Sequence, residues 1–199
     1  MINPGVELAG YFTIYEWTVL VIWAVFWIYW IILAFLTRSP VKKRWQSGMP
    51  PVLPGIAVLL WVIFSVFFPG FLLLPILPAG ILTGLPGIAL TLAGLGFAVW
   101  ARLHLGKNWS GKPVIRTDHV LIRTGPYHVV RNPIYTGILA ALIGTALVVG
   151  QIWVLMVTAI ILVVFLIKIG MEEKFLLEEF GESFISYKNQ VKSLIPYIL

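Results

Sequence analysis

Apolar residues fall in long blocks, and polar residues are confined to the stretches between them. Nearly charge-free runs cover 17–36, 52–68, 85–103, 134–149 and 152–167. About 20 apolar residues is the length a helix needs to cross a bilayer core. The pattern predicts an all-α integral membrane protein with five transmembrane helices, a single membrane domain over 1–199. The last two spans meet at Gly150-Gln151, which predicts a tight C-terminal helical hairpin. Both are short for a full crossing, as expected of tilted helices that begin near the membrane surface. Small residues in the third block, Gly84, Gly87, Ala93, Gly94, Gly96 and Ala98, would let another helix approach closely. Pro69-Gly70, Pro75 and Pro78 break the piece after the second block, so segment 69–84 reads as an exterior loop, a re-entrant hairpin or a connector. After Lys168, the spacing of Phe175, Leu176, Phe180 and Phe184 predicts an amphipathic tail helix, weakened locally by Gly181.

Composition agrees. Of 199 residues, 60% are hydrophobic and 11% charged, against about 25% charged in soluble domains. The mean hydropathy is +0.97. With no cysteine, a disulfide framework and a thiolate metal site are excluded. The three histidines are dispersed, which argues against zinc or iron. The net charge of +6 reads as topology and gives no sign of nucleic acid. With five spans, all 14 Lys and Arg residues fall on one side, in 37–49, in 102–131 and from Lys168 onward. The positive-inside rule then puts the C-terminus in the cytoplasm and the N-terminus outside. The first 16 residues contain no basic residue, so no cleaved signal is expected there. Arg38, Lys42, Lys43 and Arg44 form a juxtamembrane cluster that suits anionic lipid or an acidic substrate headgroup. Gly94-Leu-Gly96 lacks a third glycine and a preceding strand, so a dinucleotide fingerprint is not expected.

Candidate chemistry concentrates in the polar stretch His119–Gly137 and in Lys168-Ile-Gly-Met-Glu172-Glu173 at the foot of the hairpin. Arg131 and Lys168 can bind a carboxylate or phosphate. Glu172 and Glu173 stand at the membrane boundary, where an ionisable group is costly and usually functional. Lys168 and Glu172 are four apart and share a helix face. By spacing alone they are equally an ordinary ion pair at a helix end, with Arg131 reaching for lipid phosphate. Pro133 could simply open a helix.

The order of these residues adds information. Gly125-Pro-Tyr127, then Arg131-Asn132-Pro133-Ile134-Tyr135-Thr-Gly137, then Glu172-Glu173 with Leu176, Phe180-Gly181 and Tyr187 resembles the isoprenylcysteine carboxyl methyltransferase family. That family belongs to a wider group of membrane methyltransferases that includes phospholipid methyltransferases. His104 and Asn108-Trp109-Ser110 also resemble the start of this region. The resemblance covers about Leu103 to Pro196.

It implies S-adenosylmethionine as cofactor, held by a cytoplasmic linker and tail (104–133 and 168–199) in place of a Rossmann sheet. The implied cofactor-binding residues are His119, Val120, Leu121, Ile122, Tyr127, Asn132, Pro133, Ile134, Tyr135 and Glu172. Lys168 falls where the family has a basic residue that handles the substrate carboxylate, and Arg131 joins it as a candidate catalytic residue. Asn132 stands where the family has histidine, so it can hydrogen-bond but not titrate. Lys168 replaces arginine, which keeps the charge without the bidentate fork. The implied partners are a lipophilic or lipidated methyl acceptor and membrane lipids, with no obligate protein partner. Alternatives are a phospholipid or small-thiol methyltransferase, a sterol-type membrane reductase, or a non-catalytic lipid-binding protein. A transporter would be expected to show repeated halves and polar groups at mid-membrane.

Overall fold

The computed structural model describes residues 13–36, 43–44, 69–106, 114–115 and 121–196. The expected second span, 52–68, lies outside the described residues, as do His119 and Val120. The described helices are α1 (Ile14–Leu36), α2 (Pro69–Leu72), α3 (Ile81–Leu105), α4 (Pro126–Val129), α5 (Pro133–Val149), α6 (Ile152–Phe180) and α7 (Glu182–Gln190). Two short strands, β1 (Lys43–Arg44) and β2 (Val114–Ile115), pair antiparallel. The chain is an integral membrane protein. α1, α3 and α6 have 23, 25 and 29 residues and are apolar enough to cross a membrane, while α5 is a shorter apolar helix.

Local chemistry sets the helix ends. At the start of α1, the backbone N–H of Thr13 donates to Glu16 Oε2 (2.6 Å) and that of Glu16 to Thr13 Oγ1 (3.3 Å). This reciprocal capping box begins the helix at Ile14, ahead of the expected Trp17. α5 opens with Pro133 at its first turn and closes at Gly150, which is left-handed (φ 65°) and returns its N–H to Ala146 O.

Segment 69–84 is a connector that clasps the hairpin turn. The N–H groups of Ile76 and Leu77 donate to Gly150 O, and that of Ile152 to Leu74 O. The next helix starts at Ile81 and carries Pro86 in its interior.

A seam of small residues joins α3 to α5. A Cβ on Gly94 would lie 2.5 Å from Gly137 O, and one on Gly144 would lie 2.6 Å from Gly87 O. The two backbones are therefore nearly in contact, and glycine is what permits it. Buried Thr91 donates to Gly87 O (2.8 Å) and reaches across to Ala141 O (3.3 Å). Of the expected small residues, Gly87, Gly94 and Ala98 serve this seam and Gly84 receives the Tyr15 ring of α1, but Gly96 meets nothing within 4 Å. Ala93 is exposed. α1 covers the seam with Phe26 against Leu95, Ala98 and Ala141, and Trp23 Nε1 donates to Thr145 Oγ1 (3.0 Å).

Two expectations change. Arg102, counted above with the basic residues of the polar stretch 102–131, lies inside α3 and is 2% exposed. Its guanidinium stacks on the Trp30 ring (4.1 Å) and donates to Trp30 O (2.9 Å). The fifth span and the first part of the tail are one helix, since α6 continues unbroken through Lys168 to Phe180. At 1.5 Å per residue it is about 43 Å long, some 13 Å more than the roughly 30 Å hydrocarbon core. Counted from Ile152, the excess is about the last nine residues, 172–180, and carries Glu172 and Glu173, one turn beyond Lys168.

Candidate active site

Three elements converge at the cytoplasm-facing end expected for the hairpin: the start of α5, the extension of α6, and the linker 121–132 backed by α7. Tyr135 is on the first turn of α5. Its hydroxyl meets both carboxylate oxygens of Glu172, at 2.9 and 3.0 Å. Lys168 Nζ lies 3.7 Å from Glu172 Oε1 and 5.3 Å above the Tyr135 ring. Phe165 packs on that ring with centroids 4.5 Å apart. Helical spacing brings Phe165, Lys168 and Glu172 to one face of α6, and the hairpin turns that face toward Tyr135. The cluster joins a half-buried carboxylate, an aromatic face and a half-exposed ammonium group, so it can take up a cation and an anion side by side.

The linker is shaped by one glycine. Gly125 has φ 60°, and a Cβ on it would lie 2.7–2.9 Å from the His104 ring. Left-handed backbone and lack of space both call for glycine there. Gly125 opens α4, whose Tyr127 is buried and stacks on His104 (centroids 6.5 Å apart). His104 Nε2 is 2.8 Å from Thr124 Oγ1. The Tyr187 hydroxyl of α7 donates to Tyr127 O (2.5 Å). Burial pushes the Tyr187 phenol up to about 12, although Arg131 and Arg123 act the other way. Burial also raises Tyr127. Both stay neutral, so the Tyr187 donor persists across the physiological range.

Arg131 and Asn132 bind the C-terminal tail. Arg131 gives Nε (3.1 Å) and a terminal nitrogen (2.6 Å) to Glu173 Oε1, and its other terminal nitrogen to the carbonyls of Lys188 and Val191. Asn132 donates its N–H and its side-chain amide to Ser193, and Thr136 Oγ1 donates to Leu194 O (2.8 Å).

The structure thus brings Tyr135, Lys168 and Glu172 together. Tyr127, Leu121 and Ile122 lie on the neighbouring linker, Leu121 against the Phe184–Tyr187–Val191 cluster. Pro133 is buried and Ile134 half-buried at the start of α5. Arg131 faces Glu173 and not Lys168. Tyr187, Lys188 and Ser193 are structural partners that sequence reasoning gave no role. Their bonds cross separations of 15 to 61 residues, which no local spacing could reveal. Among the described residues, no group of three His, Cys, Asp or Glu could hold a metal.

Comparison with known proteins agrees with this picture. The family model for phospholipid methyltransferases matches residues 82–183. The chain is 36% identical over 88 residues to protein-S-isoprenylcysteine O-methyltransferase of Saccharomyces cerevisiae. It is 34% identical over 82 residues to the Schizosaccharomyces pombe enzyme of the same name. Each match covers 41% of this chain but only 35% of the yeast protein. In three dimensions the chain is similar to the eukaryotic intramembrane Ras methyltransferase, isoprenylcysteine carboxyl methyltransferase. That similarity has a TM-score of 0.55 at 27% identity and covers 77% of this chain and 55% of that one. The matched region of about half the chain runs from the start of α3 into α7 and contains the whole Tyr135–Lys168–Glu172 cluster, and the chain belongs to the phospholipid methyltransferase family.

Proposed function

We propose that the protein is a membrane methyltransferase that moves a methyl group from S-adenosylmethionine to a lipophilic acceptor, as the isoprenylcysteine methyltransferases it resembles do. The observation that carries this reading is the Tyr135–Glu172–Lys168 cluster beside the Tyr127 linker. The donor set fits the cofactor: a carboxylate for an amino group, aromatic faces for a sulfonium, and an ammonium for a carboxylate. When bound, the cofactor would supply an electrophilic methyl group.

The residues would divide the work as follows. Glu172, oriented by Tyr135, holds the amino group, while Tyr127, Leu121, Ile122, Asn132, Pro133 and Ile134, with His119 and Val120, line the adenosine side. Lys168 meets an anionic part of cofactor or acceptor. Arg131 contributes by holding the linker in place. Displacement at a methyl carbon depends mainly on alignment and exclusion of water. A carboxylate or thiolate acceptor therefore needs no general base, and its lipid portion would enter between α5 and α6. The match to the phospholipid methyltransferase family supports a second acceptor class, a phospholipid amine. That acceptor must lose a proton, a step His119 would assist; Glu173, read from the sequence as the other candidate, has both oxygens engaged by Arg131 and Lys188.

We read 1–199 as a single membrane domain, with five spans and both 104–133 and 168–199 on the cytoplasmic side. The test is calorimetric binding of S-adenosylhomocysteine to purified protein in lipid. Binding to the wild type, weakened about tenfold or more by Glu172→Gln and by Tyr135→Ala, is the expected result. A folded wild type that does not bind would remove this reading.

A further inference from the structure

The two adjacent glutamates of α6 face different partners. Glu172 turns to Tyr135 and Lys168, whereas Glu173 leaves that cluster. Its Oε1 accepts from Arg131 and its Oε2 accepts from Lys188 Nζ (2.7 Å). Arg131 also donates to the carbonyl of Lys188, so Glu173, Arg131 and Lys188 close a ring of three residues from α6, the linker and α7. The Arg131 and Glu173 side chains are only 9% and 14% exposed, while Lys188 is 53% exposed.

This ring closes the α6 side of the joint between the linker–α7 unit and the hairpin; on the α5 side the chain itself, at Asn132-Pro133, and the bond from Thr136 Oγ1 to Leu194 O make the connection. Linker and α7 are bound to each other several times over. Arg123 donates to Ser183 O (2.6 Å), Tyr187 donates to Tyr127 O, Leu121 packs on Phe184 and Tyr187, and Arg131 and Asn132 bond the tail. These contacts tie them into one body, which carries Tyr127 and Leu121. Tyr135, Glu172 and Lys168 belong to the other body, the α5–α6 hairpin. On the α6 side the chain connection between them is Gly181, at φ 50°, where a Cβ would meet nothing within 4 Å. Glycine is therefore called for there by its positive φ and not by lack of space.

We propose that Glu173 is a positioning residue: by tying Arg131 and Lys188 to α6, it fixes the linker–α7 body at the spacing from Tyr135 and Glu172 that lets one cofactor span both. This rests on the methyltransferase reading above. Glu173 touches neither cofactor nor acceptor in this scheme. Its effect reaches the site through Arg131, three residues ahead of Ile134, and through Lys188 on the helix that holds Tyr127.

The absence of native cysteine makes a direct test possible. Spin labels are placed at the exposed positions Glu178→Cys on α6 and Asn189→Cys on α7, in protein reconstituted in lipid. The distance distribution is measured with and without S-adenosylhomocysteine, beside calorimetry of the same samples. In the parent protein the distribution should be narrow without ligand. Glu173→Gln should broaden it, weaken S-adenosylhomocysteine binding about tenfold, and regain a narrow distribution at saturating ligand. Lys188→Met removes only the exposed arm and should give the same changes at smaller size, in a variant with little risk of misfolding. A distribution that stays narrow in both variants, or broadens without loss of affinity, overturns the proposal while leaving the cofactor assignment intact. Failure of the parent protein to bind S-adenosylhomocysteine, whatever the distances do, instead removes the methyltransferase reading and this proposal with it.

Discussion

Gly125 and Tyr187 are the two single residues on which the linker most depends, for different reasons. Gly125→Ala meets a left-handed backbone, a cost of about 1–2 kcal/mol, and also pushes a methyl group into the His104 ring. The variant should unfold at a lower temperature and bind S-adenosylhomocysteine more weakly. Tyr187→Phe keeps the ring under Arg123 but deletes the donor to Tyr127 O, leaving a buried carbonyl short of a partner at a cost of about 1 kcal/mol. Its thermal midpoint should fall less than that of the Gly125 variant. The sequence marked Gly125 and Tyr127 through their resemblance to a family pattern. It gave no hint that Tyr187 holds them, because that bond joins residues 60 apart.

At the scale of elements, the α3–α5 seam separates essential from incidental small residues. Gly94→Leu must force the two backbones apart and should cost more than the roughly 1–3 kcal/mol of ordinary overpacking. Gly96→Leu faces open space and should leave detergent stability unchanged. Thermal unfolding of both variants in the same micelle checks the contrast. Hydropathy placed the helices α1, α3 and α5 to within a few residues, since long apolar runs must leave water. It could not say which glycines touch, because that depends on the rotation of one helix against another. Hydropathy also cut α6 at Lys168, whereas backbone hydrogen bonding continues regardless of side-chain polarity. The Lys168–Glu172 pair across one helical turn even supports the continuation.

For the molecule as a whole, the one-sided distribution of Lys and Arg predicts which end meets the cytoplasm. Single cysteines test this directly. Asn189→Cys should react with an impermeant maleimide only from the cytoplasmic face, and the exposed Ala79→Cys, next to the hairpin turn, only from the opposite face. Labelling of both from one side would refute the assigned orientation. Fold class and the gathering of candidate chemistry near the hairpin foot were legible because both follow from where charge is allowed in a bilayer. The ties that hold linker and α7 together were not, since they join distant segments by carbonyl and guanidinium contacts.

The length of α6 has one more consequence. Because α6 is one unbroken helix from the hairpin turn to beyond Glu173, in the proposed orientation the height of the candidate site above the lipid is set by how much hydrocarbon that helix must cross. A thicker membrane would draw Lys168 and Glu172 toward hydrocarbon or tilt the helix, and a thinner one would lift them clear of the level at which a lipid acceptor arrives. In phosphatidylcholine vesicles of graded acyl-chain length, the proposed methyl transfer should therefore pass through an optimum while the unfolding temperature of the helices changes little. Membrane thickness would then act as a dial on turnover, letting one unmodified protein run at different speeds in different bilayers.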